Sequence, residues 1–378
     1  MKTNHLRQLG TLGQSLWLDF IRRDLLTSGD LCRMIEEDGL RGMTSNPAIF
    51  EKSISESQDY DRDIRTLAAE GKDARTTYEA LSRSDVQAAA DDFRQVYDSS
   101  EGRDGYVSLE VNPHLARDTQ GTIRESRRLW ADLARPNVLI KVPGTVEGLG
   151  AIHQLTREGI NVNVTLLFGL PRYRQVVEAY LSGLEERVAC GDPVRRSASV
   201  ASFFVSRIDA KVDPQLEECN GLGGSKTDVV KMVLGQVAVA SAKLAYQAYR
   251  ELFGGERFKP LAAQGATPQR LLWASTGTKD PAASDVKYIE ELIGPETINT
   301  VPVKTLEAYR DHGNPRVRLD QGLPEAQKAL GRLTELGISL DFVTQQLEDE
   351  GVEGFLKSFD RLLEILAQRA QQPPAAKP

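Results

Sequence analysis

Short runs of apolar and β-branched residues recur along the chain, each followed by a stretch whose apolar positions carry helical spacing. In order they are Ser15–Phe20, Leu40–Ser45, Tyr106–Val111, Asn137–Val142, Asn161–Phe168, Ser197–Val205, Arg270–Ser275 and Thr297–Val301. Strands alternating with helices predict a parallel sheet joined by crossover helices. Eight such units in 378 residues fit an α/β fold of the (β/α)8 TIM-barrel type with extra helices. A doubly wound open sheet is the alternative architecture, but no GxGxxG follows the first run.

Two stretches exceed a minimal strand–helix unit. Glu51–Gly105 holds several helical segments, among them Ser84–Tyr97, and Gly221–Lys259 holds a long Ala/Val-rich helix over about Thr227–Phe253. Past the eighth run, Lys304–His312 reads as a helix stopped by Gly313 and Pro315. A C-terminal helical extension follows, with segments at Pro324–Glu335, Leu340–Glu348 and Glu353–Arg369. The last places Phe355, Phe359, Leu362, Leu363 and Leu366 on one face, which must pack on something. No internal linker interrupts the chain, so residues 1–370 are expected to form a single barrel domain, with 371–378 a disordered tail.

Composition narrows the class. The chain carries 47 Lys+Arg against 54 Asp+Glu, a net charge of −7, which argues against a nucleic-acid groove or an anionic membrane as partner. No apolar run approaches the roughly 18 residues of a membrane span, and Met1–Gly10 lacks the apolar core of a signal peptide. Cys32, Cys190 and Cys219 form no CxxC pair, so free thiols in a reducing cytoplasm are expected. The four histidines show no HxH or HxxxH spacing, and no GxSxG elbow exists. Neither a metal site nor a Ser-His-Asp hydrolase is therefore expected.

In a barrel, active sites collect at the C-terminal ends of the strands, so polar residues late in apolar runs are the informative ones. Asp19 closes the first run and Thr44–Asn46 the second. Glu110 lies near the end of the third and Lys141 near the end of the fourth. In the fifth, Asn161, Asn163 and Thr165 share one face at period two. Ser202 comes late in the sixth, and Ser275 ends the seventh.

Each has a bland reading. Asn46-Pro47 suits a turn, Thr165 suits any strand, Ser202 suits a helix cap, and Arg207, Asp19 and Glu110 suit the surface. Lys141 resists one. It sits among Leu139, Ile140 and Val142, and burying an ammonium is costly unless it is paired or neutralised. A structural Lys–Glu pair is the competing account. Attack on a ketone needs a neutral amine, and at an unperturbed pKa only about 1 in 2,500 lysines is neutral at pH 7. Desolvation at an apolar strand end raises that fraction. Carboxylates on neighbouring strands could then move the protons that imine formation and carbon–carbon cleavage require.

On these residues the chain resembles transaldolases. Gly42–Phe50 (GMTSNPAIF) is similar to that family's first signature, and Val138–Gly148 (VLIKVPGTVEG) to its second, which holds a Schiff-base lysine. Ile160–Phe168 and Trp273–Lys279 also resemble the family, so the likeness spans roughly residues 12 to 315. The resemblance implies a (β/α)8 barrel working without metal or organic cofactor. It also implies transfer of a dihydroxyacetone unit between phosphorylated ketoses and aldoses in the pentose phosphate pathway. By the same resemblance Lys141 forms the imine, Asp19 is the acid/base at the C4 hydroxyl, and Glu110 and Thr165 hold the catalytic water. Asn46 and Asn163 would bind substrate hydroxyls, and Ser202 and Arg207 the phosphate. Lys279 stands where many relatives use Arg for phosphate, and a Lys offers a point charge in place of a bidentate fork.

The nearest rival is a fructose 6-phosphate aldolase, with the same fold and lysine but no need of an acceptor. Phe204 stands where those aldolases place a Tyr, and the aldolases are shorter as a group. A non-catalytic barrel would be expected to lack the lysine or the acids. A phosphosugar isomerase usually needs a metal or a His/Glu pair, for which these histidines are badly spaced. The acidic surface and amphipathic helices suit a monomer or a homodimer.

Overall fold

The computed structural model describes residues 4–221 and 225–371. Eight strands close into one parallel barrel in chain order. They are β1 (Ser15–Asp19), β2 (Gly42–Thr44), β3 (Tyr106–Glu110), β4 (Val138–Pro143), β5 (Val162–Leu167), β6 (Ser199–Phe204), β7 (Arg270–Ala274) and β8 (Ile298–Val301). All eight expected runs are strands, each trimmed by one or more residues at an end except β4, which gains Pro143 and loses Asn137. The alternation of side chains along each strand sends polar residues inward, where they must find partners. At the N-terminal end of the barrel Arg270 meets Asp104 at 2.9 Å and Ser15. Midway, Asn163 Nδ2 donates to Ser108 Oγ at 2.9 Å, and Ser202 Oγ donates to Asn163 Oδ1 at 2.7 Å.

Three helical expectations need correction. Ser84–Tyr97 is not one segment: a helix runs Ala74–Asp92, capped by the Asp73 carboxylate on Thr76 N–H, and a separate short one runs Arg94–Ser99. Thr227–Phe253 is two helices, Ser225–Val233 and Val237–Gly254. Between them Gly235 takes φ +67°, a left-handed conformation that ends a helix cheaply only for glycine. The break is held by Asp209, which accepts from Ala238 N–H at 2.7 Å, and by Asp213, which accepts from Gly235 N–H at 2.9 Å. No single helix among the described residues is long and apolar enough to cross a membrane. The bent pair around Gly235 passes only as a pair, and the second helix spends its apolar residues on the barrel's outer layer.

The third correction concerns the C-terminal segments, which form one continuous helix, Leu340–Ala370. The expected break at Asp349–Val352 is overridden by tertiary contacts. Glu348 pairs with Arg172, Asp349 with Arg117 and Glu350 with Lys211, while Gly351 lies against Leu166. Further along, Asp360 meets His114, Arg361 meets Glu51, and Arg369 meets Asp61. Those partners stand on the connections after β2, β3, β5 and β6, so the helix lies across the C-terminal mouth of the barrel. Exposed pairs contribute about 0–1 kcal/mol each. The apolar face, with Phe355, Phe359, Leu362 and Leu366 all buried, supplies most of the holding energy. The expected disordered tail falls, from residue 372 on, outside the described residues.

This helix approaches the barrel closely at Gly351. A Cβ there would stand 2.8 Å from the end of the Leu166 side chain, whereas one on Gly354, three residues on, would meet nothing within 4 Å. Leu166 itself sits at φ +59° beside an irregularity in the β5–β6 register. Gly351→Val is therefore expected to lower the unfolding free energy by about 1–3 kcal/mol through overpacking. Gly354→Ala should be neutral or stabilising by up to about 1 kcal/mol. Urea unfolding midpoints at unchanged slope check both, and equal effects at the two positions would contradict this docking geometry.

Candidate active site

At the C-terminal ends of the strands lies a cavity of about 160 Å3. Its walls include Asp19 from the end of β1, Thr44 from β2, Asn46, Lys141 from β4, Ser202 and Phe204 from β6, Arg207 and Lys279. Six of the nine residues singled out from sequence therefore share it. The other three, Glu110, Asn163 and Thr165, are not among the walls. All three are buried in the barrel interior on β3 and β5, the strands paired on either side of β4.

Lys141, flanked on its strand by buried Ile140 and Val142, is only 3% exposed. Its Nζ lies 3.6 Å from Glu110 Oε2 and donates to the Ser45 carbonyl at 3.1 Å. Parallel pairing places Glu110 opposite Lys141 in the β3–β4 register, so the sheet itself sets the pair. Burial pushes the Glu110 carboxyl up to about 7, against the pull of Lys141. Both Glu110 carboxylate oxygens and Thr165 Oγ1 are buried without a hydrogen-bond partner. Polar atoms so placed are ordinarily satisfied by an ordered water or a ligand group.

Asp19 is half-buried and also pushed upward, chiefly by burial. Lys141, the Thr44 hydroxyl, Arg207 and Lys279 oppose that shift, in that order. Thr44 Oγ1 donates to Asp19 Oδ1 at 2.6 Å and contacts Thr300 Oγ1 at 2.8 Å, so a chain from β8 through β2 orients the carboxylate. Arg207 and Lys279 are the cations of the rim. Arg207 is half-buried over the Phe204 ring, its guanidinium 5.6 Å from the centroid, while Lys279 is exposed.

The bland readings fare unevenly. Asn46, read as a turn residue, instead caps the helix Pro47–Ser55, its Oδ1 accepting from Ile49 N–H at 2.9 Å, and it also faces the cavity. Asn163 has its amide engaged by Ser108 and Ser202, leaving one amide hydrogen for anything else. Ser202 caps nothing and spends its proton on Asn163. Among the described residues, no three His, Cys, Asp or Glu side chains converge as a metal set.

Sequence reasoning missed two classes of wall. Thr300 is a β-branched residue in a four-residue strand, with nothing local to mark it. Phe355 comes from the C-terminal helix, some 200 residues from Lys141, and its ring centroid lies 6.0 Å from Lys141 Nζ. Its place on an apolar helical face was legible, but the surface that face covers was not.

Comparison with known proteins agrees with this geometry. The model of the family described as Transaldolase/Fructose-6-phosphate aldolase matches residues 16–366. A protein named Transaldolase from Thiobacillus denitrificans is 50% identical over 360 residues, covering 95% of this chain and 99% of that one. Transaldolases of Saccharopolyspora erythraea (46% identical, 98% of this chain and 100% of the relative) and Thermobifida fusca (45%, 96% and 98%) are similar over comparable lengths. A barrel that buries a lysine beside a carboxylate, matched end to end by these relatives, belongs to the transaldolase/fructose-6-phosphate aldolase family.

Proposed function

We propose that the chain is a transaldolase that moves a dihydroxyacetone unit between sugar phosphates by way of an imine on Lys141. The observation that carries this is the single cavity in which the buried Lys141 amine faces Asp19 and the two cations Arg207 and Lys279. Donors would be ketose phosphates such as fructose 6-phosphate or sedoheptulose 7-phosphate. Acceptors would be aldose phosphates such as erythrose 4-phosphate or glyceraldehyde 3-phosphate.

The steps follow from the positions. The neutral Lys141 amine adds to the C2 carbonyl, and the carbinolamine expels water to give an iminium. Glu110, with a carboxyl poised near neutrality, exchanges the protons of that water, and Thr165 holds it. Asp19 takes the proton of the C4 hydroxyl as the C3–C4 bond breaks, and the aldose phosphate leaves. The electron pair stays on the three-carbon unit as an enamine conjugated to the Lys141 nitrogen. An acceptor aldehyde then takes the bond-forming electrons at its carbonyl carbon, and Asp19 returns the proton to its oxygen. Hydrolysis of the new imine regenerates the amine. Asn46 and Asn163 contribute hydrogen bonds toward the sugar, and Ser202, Arg207 and Lys279 hold the phosphate, Lys279 as a point charge.

Phe204 favours transfer over simple aldol release, because it sets an apolar ring in the cavity wall where a hydroxyl would help protonate the enamine. The strand-to-strand contacts and the helix spanning the barrel mouth support reading 1–370 as one domain. Cys32, Cys190 and Cys219 are free, which suits work in the cytoplasm.

Borohydride with fructose 6-phosphate is expected to trap a covalent adduct on Lys141, located by peptide mass mapping. Lys141→Ala should give no adduct and no transfer to erythrose 4-phosphate; normal turnover by that variant sinks the mechanism. Asp19→Asn should still be trapped while losing about 10²–10⁴ in kcat, the usual worth of a positioned acid/base. Since Asp19 must be ionised to accept the C4 proton and Thr44 holds its pKa down, Thr44→Val should move the acid limb of kcat/KM to higher pH. A stationary limb would assign that limb to another group.

Glu110 gives a pH prediction of its own. Its folded value of about 7 lies above the unfolded one near 4.3, so the folded state binds the proton more tightly. The stability this contributes is full below about pH 4 and is lost as pH rises toward 7. Infrared spectra should show the protonated carboxyl persisting well above about pH 5. Lys141→Met should push its titration higher still, because the ammonium is what opposes the shift. A carboxyl already ionised at about pH 5 contradicts the assignment.

A further inference from the structure

Phe355 is the one cavity wall contributed by the C-terminal helix, and it is 4% exposed. Its ring centroid stands 6.0 Å from Lys141 Nζ, at the outer limit for a cation–π contact, so charge stabilisation is a minor part of what it does there. Covering is the larger part. The other apolar side chains in the wall are Phe204, Ala274 and Pro302, all from the barrel and its loops. Phe355 is the apolar wall that comes from outside the barrel and its loops. The helix carrying it is fixed over the mouth by the mostly buried Arg172–Glu348 pair and by the Gly351–Leu166 contact.

From this geometry we infer that Phe355 is a positioning residue that keeps water off the three-carbon unit on Lys141, so that the unit waits for an acceptor aldehyde and is not released. The inference rests on the Lys141 imine proposed above. Release without an acceptor requires two events at the enamine. A proton must add to the nucleophilic carbon, giving an iminium. Water must then add at C2 and the C–N bond must break, yielding free dihydroxyacetone and the Lys141 amine. Each event is faster when bulk-like water reaches the site. Replacing the benzyl side chain by a methyl group leaves room for about three waters at about 30 Å3 apiece.

Phe359, one helical turn on, separates covering from docking. It is buried against Tyr78, with centroids 5.4 Å apart, and is not a wall of the cavity. The measurement is the ratio of dihydroxyacetone release from fructose 6-phosphate alone to transfer onto erythrose 4-phosphate. Phe355→Ala should raise that ratio about tenfold or more, equivalent to about 1.4 kcal/mol between the two barriers. Phe355→Leu, which still fills the space, should remain near the unsubstituted value. Phe359→Ala should lower the melting temperature without moving the ratio. If Phe355→Ala does not fold, Phe355→Val carries the same expectation with more of the helix packing kept. An unchanged ratio in the Ala or Val variant overturns the inference, as does an equal rise in Phe359→Ala, which would make the effect one of loosening the whole helix. Failure of the unsubstituted protein to form a borohydride-trapped adduct on Lys141 overturns the imine reading and this inference with it. A trapped adduct with an unmoved ratio overturns the inference alone.

Discussion

An amine buried among apolar side chains needs a reason to be there, and Lys141 is the constraint around which the site is built. Taking an ammonium out of water costs several kcal/mol unless a counter-charge and hydrogen bonds compensate. Here the compensation comes from the neighbouring strand, where Glu110 stands opposite Lys141 in register, and from the Ser45 carbonyl. The pairing is loose: 3.6 Å is an ion-pair distance, and both Glu110 oxygens lack hydrogen-bond partners.

The two carboxyls near Lys141 are raised for the same reason, burial, but their surroundings separate them. Asp19 reaches the cavity and is opposed by Lys141, a short hydrogen bond from Thr44, Arg207 and Lys279. Glu110 is enclosed, has Lys141 as its only cationic partner among the described residues, and is pushed to about 7. Environments that divide two titratable groups in this way divide acid–base labour between them. They fit a carboxylate that handles the substrate hydroxyl and a second that handles water.

The C-terminal helix gives the open barrel a cover without adding a domain. Its acidic run Glu348–Glu350 reaches cations on the connections after β3, β5 and β6, while Gly351 allows the close approach to Leu166. Leu166, held at φ +59°, follows Thr165 directly, so the helix packs against β5 one residue from that buried hydroxyl, where the β5–β6 register shifts.

Much of this was written in the sequence. The eight strands stood out because a buried parallel strand must be a short apolar run, and Lys141, Asp19 and Glu110 stood out because such runs exclude charge. Local rules also signalled the amphipathic face bearing Phe355 and Phe359. What they could not decide was anything set by a partner distant in the chain. The helix expected to break between Glu348 and Glu353 continues because Leu166 and three cations hold it, and the helix expected to run through Gly235 stops because Asp209 and Asp213 cap the break. Thr300 and Phe355 became parts of the site only when barrel closure set β8 beside β1 and the last helix crossed the mouth. Hydrophobic periodicity fixes which face of an element is buried. Only tertiary packing decides what that face covers, and here it covers the lysine.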